Sequence, residues 1–313
     1  MRRDFDEEKV ISAHRKRTIV SAVLIFIAIP AVIALGVTLF NNRNYILISL
    51  IVLTLTMLPF FMVFERRKPK AREIVLIAVM CAITVCAHLL CSVTIPLRAG
   101  TAIIIACGIA LGPEAGFLIG ALGRFVLNFY AGQGPWSPWQ MFCWGLLGFL
   151  AGLAFNRANI EEKHSRQFKA VMGPVLCVIF AVLVAYLSYV LFPPSDGESF
   201  WGWRLYIFGA VGLLAGIIVQ QKRLPVDFIT LTIFTFFTTF IIYGGLMNYF
   251  NMISTAGMPG SSEISWAALK TYYLAAVPYD LAHAGATAIF NLLFGELLIQ
   301  KLERIKLKYG IYR

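Results

Sequence analysis

Apolar residues run through this chain in long blocks, and short polar clusters separate them. Ten blocks stand out, near Thr18–Phe40, Tyr45–Phe64, Glu73–Val93, Thr101–Leu111, Ala115–Tyr130, Trp139–Phe155, Val171–Leu191, Trp203–Val219, Phe228–Phe250 and Thr271–Ile299. Several reach roughly 18–25 residues, the length a helix needs to cross about 30 Å of hydrocarbon. Thr101–Leu111 is too short for that, and the Gly112-Pro113 break that follows predicts a short helix buried among others. The fold class expected is all-α: a polytopic membrane bundle.

Charge adds the topology. Only 14% of residues are charged, against about a quarter in soluble domains. The net charge of +11 comes from basic clusters between the apolar blocks, which fits membrane orientation rather than nucleic-acid binding. With the N-terminus inside and the spans alternating, 22 of the 27 Lys and Arg fall on the cytoplasmic side. The expected topology is therefore N-in and C-in, with an even number of crossings, in the plasma membrane. The charged segment Met1–Arg17 is too long for a signal-peptide basic region, so Thr18–Phe40 is expected to be an uncleaved span. The six cysteines contain no CxxC pair and read as small buried residues.

The stretch Gly100–Phe155 is different in kind. Its two apolar arms enclose a loop holding Gly132, Gln133, Gly134, Pro135, Trp136, Ser137, Pro138, Trp139 and Gln140. Small residues recur at every fourth position, at Gly108/Gly112, Gly116/Gly120 and Gly148/Gly152, a spacing that lets helix backbones approach closely. In the expected topology the loop faces outward. So do Trp201, Trp203 and Trp266, which fit an interfacial aromatic belt.

The block from Gly116 to Leu153 (GFLIGALGRFVLNFYAGQGPWSPWQMFCWGLLGFLAGL) resembles the S component of energy-coupling factor (ECF) transporters, the membrane-embedded substrate-binding subunit of vitamin-uptake ABC importers. Tyr272–Gly295 resembles it too, as do the shorter Ala78–Ala82 and Tyr243–Asn248. The resemblance implies a six-helix core: Glu73–Val93, Thr101–Leu111, Ala115–Tyr130, Trp139–Phe155, Phe228–Phe250 and Thr271–Ile299. Four spans are then extra. The chain divides into 1–72 (basic N-terminus and two extra spans), 73–156 (first part of the core), 157–225 (a cytoplasmic loop and an inserted pair of spans) and 226–313 (last core helices and basic tail). The resemblance also implies partners, a transmembrane coupling subunit and two ATPases. Ala78 and Ala82, continued by Cys86, form the smooth helix face expected to dock on the coupling subunit.

Arg124, Asp280 and His283 are the ionisable residues deepest in spans. A charge at that depth is costly unless paired. Arg124 is expected to pair with Asp280, either as a helix-to-helix tie or as the polar floor of a ligand pocket, and Asp280 and His283 share a face. Asn128, Gln133, Trp136, Trp139, Tyr243 and Asn248 are expected toward the outer half. A mostly apolar pocket with a few polar fixings suits an organic ligand and not a bare metal ion. His14, His88 and His164 have no neighbour at ligand spacing and read as structural. No cofactor is expected.

Absent motifs narrow the function. There is no Walker A loop to fuel transport, no HExxH and no Gly-x-Ser-x-Gly elbow. The expected role is a non-enzymatic binding subunit that captures a vitamin or cofactor outside the cell. The Gly-Pro-Trp loop resembles that of S components assigned to cobalamin. The alternative is a self-sufficient proton-coupled permease using Asp280 and His283, against which stands the lack of a visible internal repeat.

Overall fold

The computed structural model describes residues 20, 23–40, 47, 50–52, 54–55, 71–94, 98–155, 181–194, 199–219, 226–255 and 265–310. Within them every extended element is a helix. A π-helical turn, Leu24–Ala28, leads into α1 (Ile29–Phe40). Next come α2 (Ala71–Thr94), α3 (Ala99–Leu111), α4 (Pro113–Ala131), α5 (Trp136–Ala154), α6 (Ala181–Leu191) and α7 (Trp203–Val219). A π-helical stretch, Thr238–Gly244, joins α8 (Phe228–Phe237) to α9 (Gly245–Thr255) in one 28-residue helix. Another, Asn291–Gly295, joins α10 (Trp266–Phe290) to α11 (Glu296–Tyr309) in one of 44 residues. The expected segment Tyr45–Phe64 and most of the loop Asn251–Ser265 lie largely outside the described residues.

The all-α membrane bundle read from the apolar runs is the fold observed. Among the described residues, three helices are long and apolar enough to cross a membrane: Ala71–Cys91, Phe228–Thr255 and Trp266–Tyr309. Large apolar side chains such as Val75, Val79, Leu90, Leu187, Leu293 and Leu297 point outward, as they do where lipid rather than water is the solvent.

At the centre stands α3, with every one of its 13 residues buried. At 1.5 Å per residue it is about 20 Å long, so it is an internal post and not a span. Helices α2, α4, α5, α10 and α11 all pack on it. Gly112 ends it with φ 105°, a conformation that favours glycine. Pro113 then opens α4 at a position where its missing N–H costs nothing.

The glycine pairs are the contact points of α3, α4 and α5. A Cβ on Gly108 would lie 2.0 Å from the Gly148 carbonyl oxygen, and one on Gly120 would lie 2.5 Å from the Trp144 carbonyl. At Gly152 it would meet Pro113 at 2.6 Å. Backbone touches backbone at these places, and close van der Waals packing is what holds helices together in lipid.

The bundle is tied at its ends. Asp227 caps α8, accepting from the Thr230 amide at 2.9 Å and the Thr230 hydroxyl at 2.7 Å. Ser265 caps α10 through the Ala268 amide at 3.1 Å. On α11, Lys306 Nζ donates to the Ala110 carbonyl at 2.5 Å and pairs with Glu303 at 3.0 Å. It thereby places a cation at the negative end of α3. The first span touches the core, since Phe26 packs edge-on against Phe149 at 6.1 Å. In the later pair, a Cβ on Gly212 of α7 would lie 2.6 Å from Ala181 of α6, and Gly209 of α7 lies against Ile241.

Candidate substrate-binding site

The α4–α5 hairpin carries a buried polar network. Arg124 and Asn128 sit one turn apart on α4, and Ser137 and Gln140 face them from the first turns of α5. Arg124 is 8% exposed, and its Nε donates to Gln140 Oε1 at 2.7 Å. Its guanidinium lies 4.7 Å from the centre of the Trp144 ring, a cation–π contact worth about 2 kcal/mol when desolvated. Asn128 Nδ2 donates to Ser137 Oγ at 3.1 Å and to Gln140 Oε1 at 3.3 Å. The Gly134 amide donates to the same Ser137 oxygen at 3.1 Å, which ties the loop to the network.

Three polar atoms in this region are buried without a hydrogen-bond partner among the described residues: Asn128 Oδ1, Gln133 Oε1 and Trp144 Nε1. Buried polar atoms are nearly always satisfied, so these three atoms make the hairpin a candidate for binding a ligand.

A line of rings connects this network to the π-helical stretch Thr238–Gly244 and to α10. His88 lies edge-on to Trp144 at 4.9 Å, Trp144 lies 6.5 Å from Tyr243, and Tyr243 meets His283 edge-on at 4.6 Å. His283 Nε2 is 3.2 Å from the Thr101 hydroxyl on α3. Beyond it, Arg98 donates to the Tyr279 hydroxyl at 2.7 Å.

Arg124 does not pair with Asp280. The Asp280 carboxylate instead accepts from the Tyr206 hydroxyl and from Asn248 Nδ2, each at 2.7 Å. The expectation matched opposite charges by depth alone. In the fold each charge takes neutral partners, Gln140 for Arg124 and Tyr206 and Asn248 for Asp280.

The other expected residues divide. Asn128 shares Gln140 with Arg124, Tyr243 lies against Trp144 with His283 beyond it, and Asn248 joins Asp280. Gln133 donates to the Phe125 carbonyl at 3.3 Å. Trp136 turns back on its own loop, its Nε1 reaching the Gly132 carbonyl at 3.4 Å. Trp139 packs on Tyr249 and Phe250 of α9 at 6.1 and 5.6 Å. Ala78, Ala82 and Cys86 lie exposed along α2, between the outward side chains of Val75, Val79 and Ile83.

Sequence reasoning did not single out Gln140, Trp144, Thr101 or Tyr206, which contact the expected residues, and it read His88, which lies against Trp144, as structural. Gln140 and Trp144 are spaced i, i+4, like Arg124 and Asn128, and that shared period was the available signal. No group of three or more His, Cys, Asp or Glu side chains that could hold a metal ion occurs among the described residues.

Comparison with known proteins addresses the family. Residues 68–198 match the family model of the S component of the ECF-type riboflavin transporter. The match begins inside the basic link Glu65–Arg72 and runs on through α6. A UPF0397 protein from Lacticaseibacillus casei (strain BL23) is 36% identical over 84 residues, which cover 27% of this chain and 42% of the relative. The chain thus spans less than half the length of that curated relative. No solved structure matches. Over residues 68–198 the chain is thus similar to the S components of energy-coupling factor transporters.

Proposed function

We propose that this protein is the substrate-binding subunit of an ECF-type importer, and that it binds a vitamin-sized heteroaromatic ligand between the α4–α5 hairpin and α10. The observation that carries this reading is the set of unsatisfied atoms, Asn128 Oδ1, Gln133 Oε1 and Trp144 Nε1, beside the buried Arg124. An apolar, aromatic wall with a few fixed polar groups is the usual make-up of a small-molecule site. The matching family model is named for riboflavin, a flat ring system edged with acceptors and an N–H, and riboflavin is the first ligand to test. Cobalamin, whose support is the Gly-Pro-Trp loop, is the second.

In this reading Ala78 and Ala82 dock on a transmembrane coupling subunit, and two ATPases power release of the ligand inside. The termini lie in the cytoplasm, where the basic clusters place them. Arg124, whose partners among the described residues are neutral, takes an electron-rich edge of the ligand.

The test is fluorescence titration of the protein in lipid nanodiscs with riboflavin, and native mass spectrometry with cobalamin. Saturable binding lost in Arg124→Ala and Trp144→Ala supports the site. Binding that survives both substitutions removes it. Uptake that persists in cells lacking ECF ATPases favours the proton-coupled permease instead.

A further inference from the structure

The helix α7 begins after residue 198, where the family match ends. One of its side chains nevertheless reaches the interior. Tyr206 is 1% exposed. Its ring stacks on Phe240 at 4.9 Å and meets Tyr273 edge-on at 4.6 Å, and Tyr273 in turn donates to the Gly245 carbonyl at 2.6 Å. The Tyr206 ring is therefore held between two aromatic neighbours.

What it holds is Asp280, itself 2% exposed. Tyr206 and Asn248 donate to the same oxygen, Oδ2. Oδ1 accepts no hydrogen bond from the described residues, and no cation pairs with the carboxylate among them. An ionised carboxylate accepts at both oxygens, and a buried one without a countercharge is costly. Two donors on Oδ2 fix the plane of the group and leave Oδ1 for another partner. Asp280 also lies against the backbone of Gly244, where a Cβ would stand 2.8 Å from its Cγ. The next residue, Tyr243, is part of the ring line that walls the proposed ligand site.

We propose that α7 forms one side of the binding site and that Tyr206 is a positioning residue. It orients Asp280 so that Oδ1 accepts an N–H donor of the ligand. The proposal rests on the flavin reading of the preceding section and narrows it to ligands with an N–H on the edge of the ring.

The probes are riboflavin and 3-methylriboflavin, in which the imide N–H is replaced by N–CH3. Affinities for both are measured with wild type, Tyr206→Phe, Asp280→Asn and Val211→Ala in nanodiscs. Val211 is an outward residue of the same helix and serves as the control. Wild type and Val211→Ala are expected to prefer riboflavin at least about tenfold, and the other two variants less than about threefold, because a site built to accept an N–H rejects the analogue lacking it. The ratio isolates the coupling between Asp280 and the ligand N–H, which loosened packing alone does not change. Variants that remain monodisperse and keep the wild-type preference overturn the proposal and leave the proposed function intact. So does a wild type that does not discriminate. A wild type that binds neither flavin overturns the flavin reading and this proposal with it. If Asp280→Asn does not fold, Tyr206→Phe decides.

Discussion

At the scale of single residues the bundle keeps a charge it does not neutralise. Arg124 rests on a glutamine oxygen and an indole face, both uncharged. Asn128 beside it spends its amide on Ser137 and Gln140 and leaves its oxygen empty. Residues kept for folding are satisfied by folding, whereas residues kept for a ligand are satisfied when it arrives. Asn128→Leu separates the two. It removes an unsatisfied acceptor, which costs about 1–3 kcal/mol when buried, but also two hydrogen bonds worth about 1 kcal/mol each. The ligand-free melting temperature should therefore stay close to wild type in a thermal-shift assay, while riboflavin affinity falls at least about tenfold. A large loss of stability would make Asn128 a structural residue. Gln140→Leu should do more damage, because it takes from Arg124 its one hydrogen-bonded acceptor among the described residues.

Arg124 and Asn128 were legible in the sequence as polar residues one turn apart in an apolar block. The partner of Asp280 was not. Tyr206 is 74 residues away, on a span that looked inserted, and a neutral hydroxyl carries no charge signal. Pairing by charge and depth ignored the neutral groups within reach of each charge.

At the scale of elements, backbone contact decides which substitutions are tolerated. Gly148 and Gly285 are both helical glycines. A Cβ at Gly148 would lie 2.5 Å from the Gly116 carbonyl oxygen, whereas one at Gly285 would meet nothing within 4 Å. Gly148→Ala should abolish a monodisperse peak on size exclusion. Gly285→Ala should leave the peak unchanged and raise the melting temperature slightly, since alanine is favoured over glycine in a helix interior by up to about 1 kcal/mol. The fourth-residue spacing of Gly108, Gly116, Gly120, Gly148 and Gly152 made the α3–α4–α5 contact readable in advance. The π-helical stretches Thr238–Gly244 and Asn291–Gly295 had no comparable signature, because one extra residue per turn leaves the apolar composition unchanged. Thr238–Gly244 packs on α10, α7 and α5, and Asn291–Gly295 packs on α8 and α3. Lys306→Met tests the tie at the end of α3. It strands Glu303 in a site 8% exposed, and losing one partner of a buried pair costs about 3–5 kcal/mol, visible as a lower melting temperature with riboflavin binding retained at low temperature.

At the scale of the whole molecule, two surfaces are kept apart. The polar network lies inside, against α3, while the Ala78–Ala82 face of α2 looks outward between Val75, Val79 and Ile83. Ala82→Trp should therefore leave riboflavin binding within about twofold of wild type, the range expected of surface changes away from a site. It should sharply reduce co-purification of the coupling subunit with tagged protein. Normal co-purification would move the docking surface elsewhere.

The short central helix also constrains how this protein is made. A 13-residue helix is below the length a translocon recognises as a span, so α3 cannot be released into lipid by its own hydrophobicity. It has to enter as part of a hairpin with α4, turned at Gly112, while α2 covers one flank. Its last carbonyls are not closed off until Lys306 arrives, 196 residues after Ala110. Until α11 is made the future core is thus an open seam, sheltered by whatever the nascent chain has already placed around it, and Lys306 shuts it.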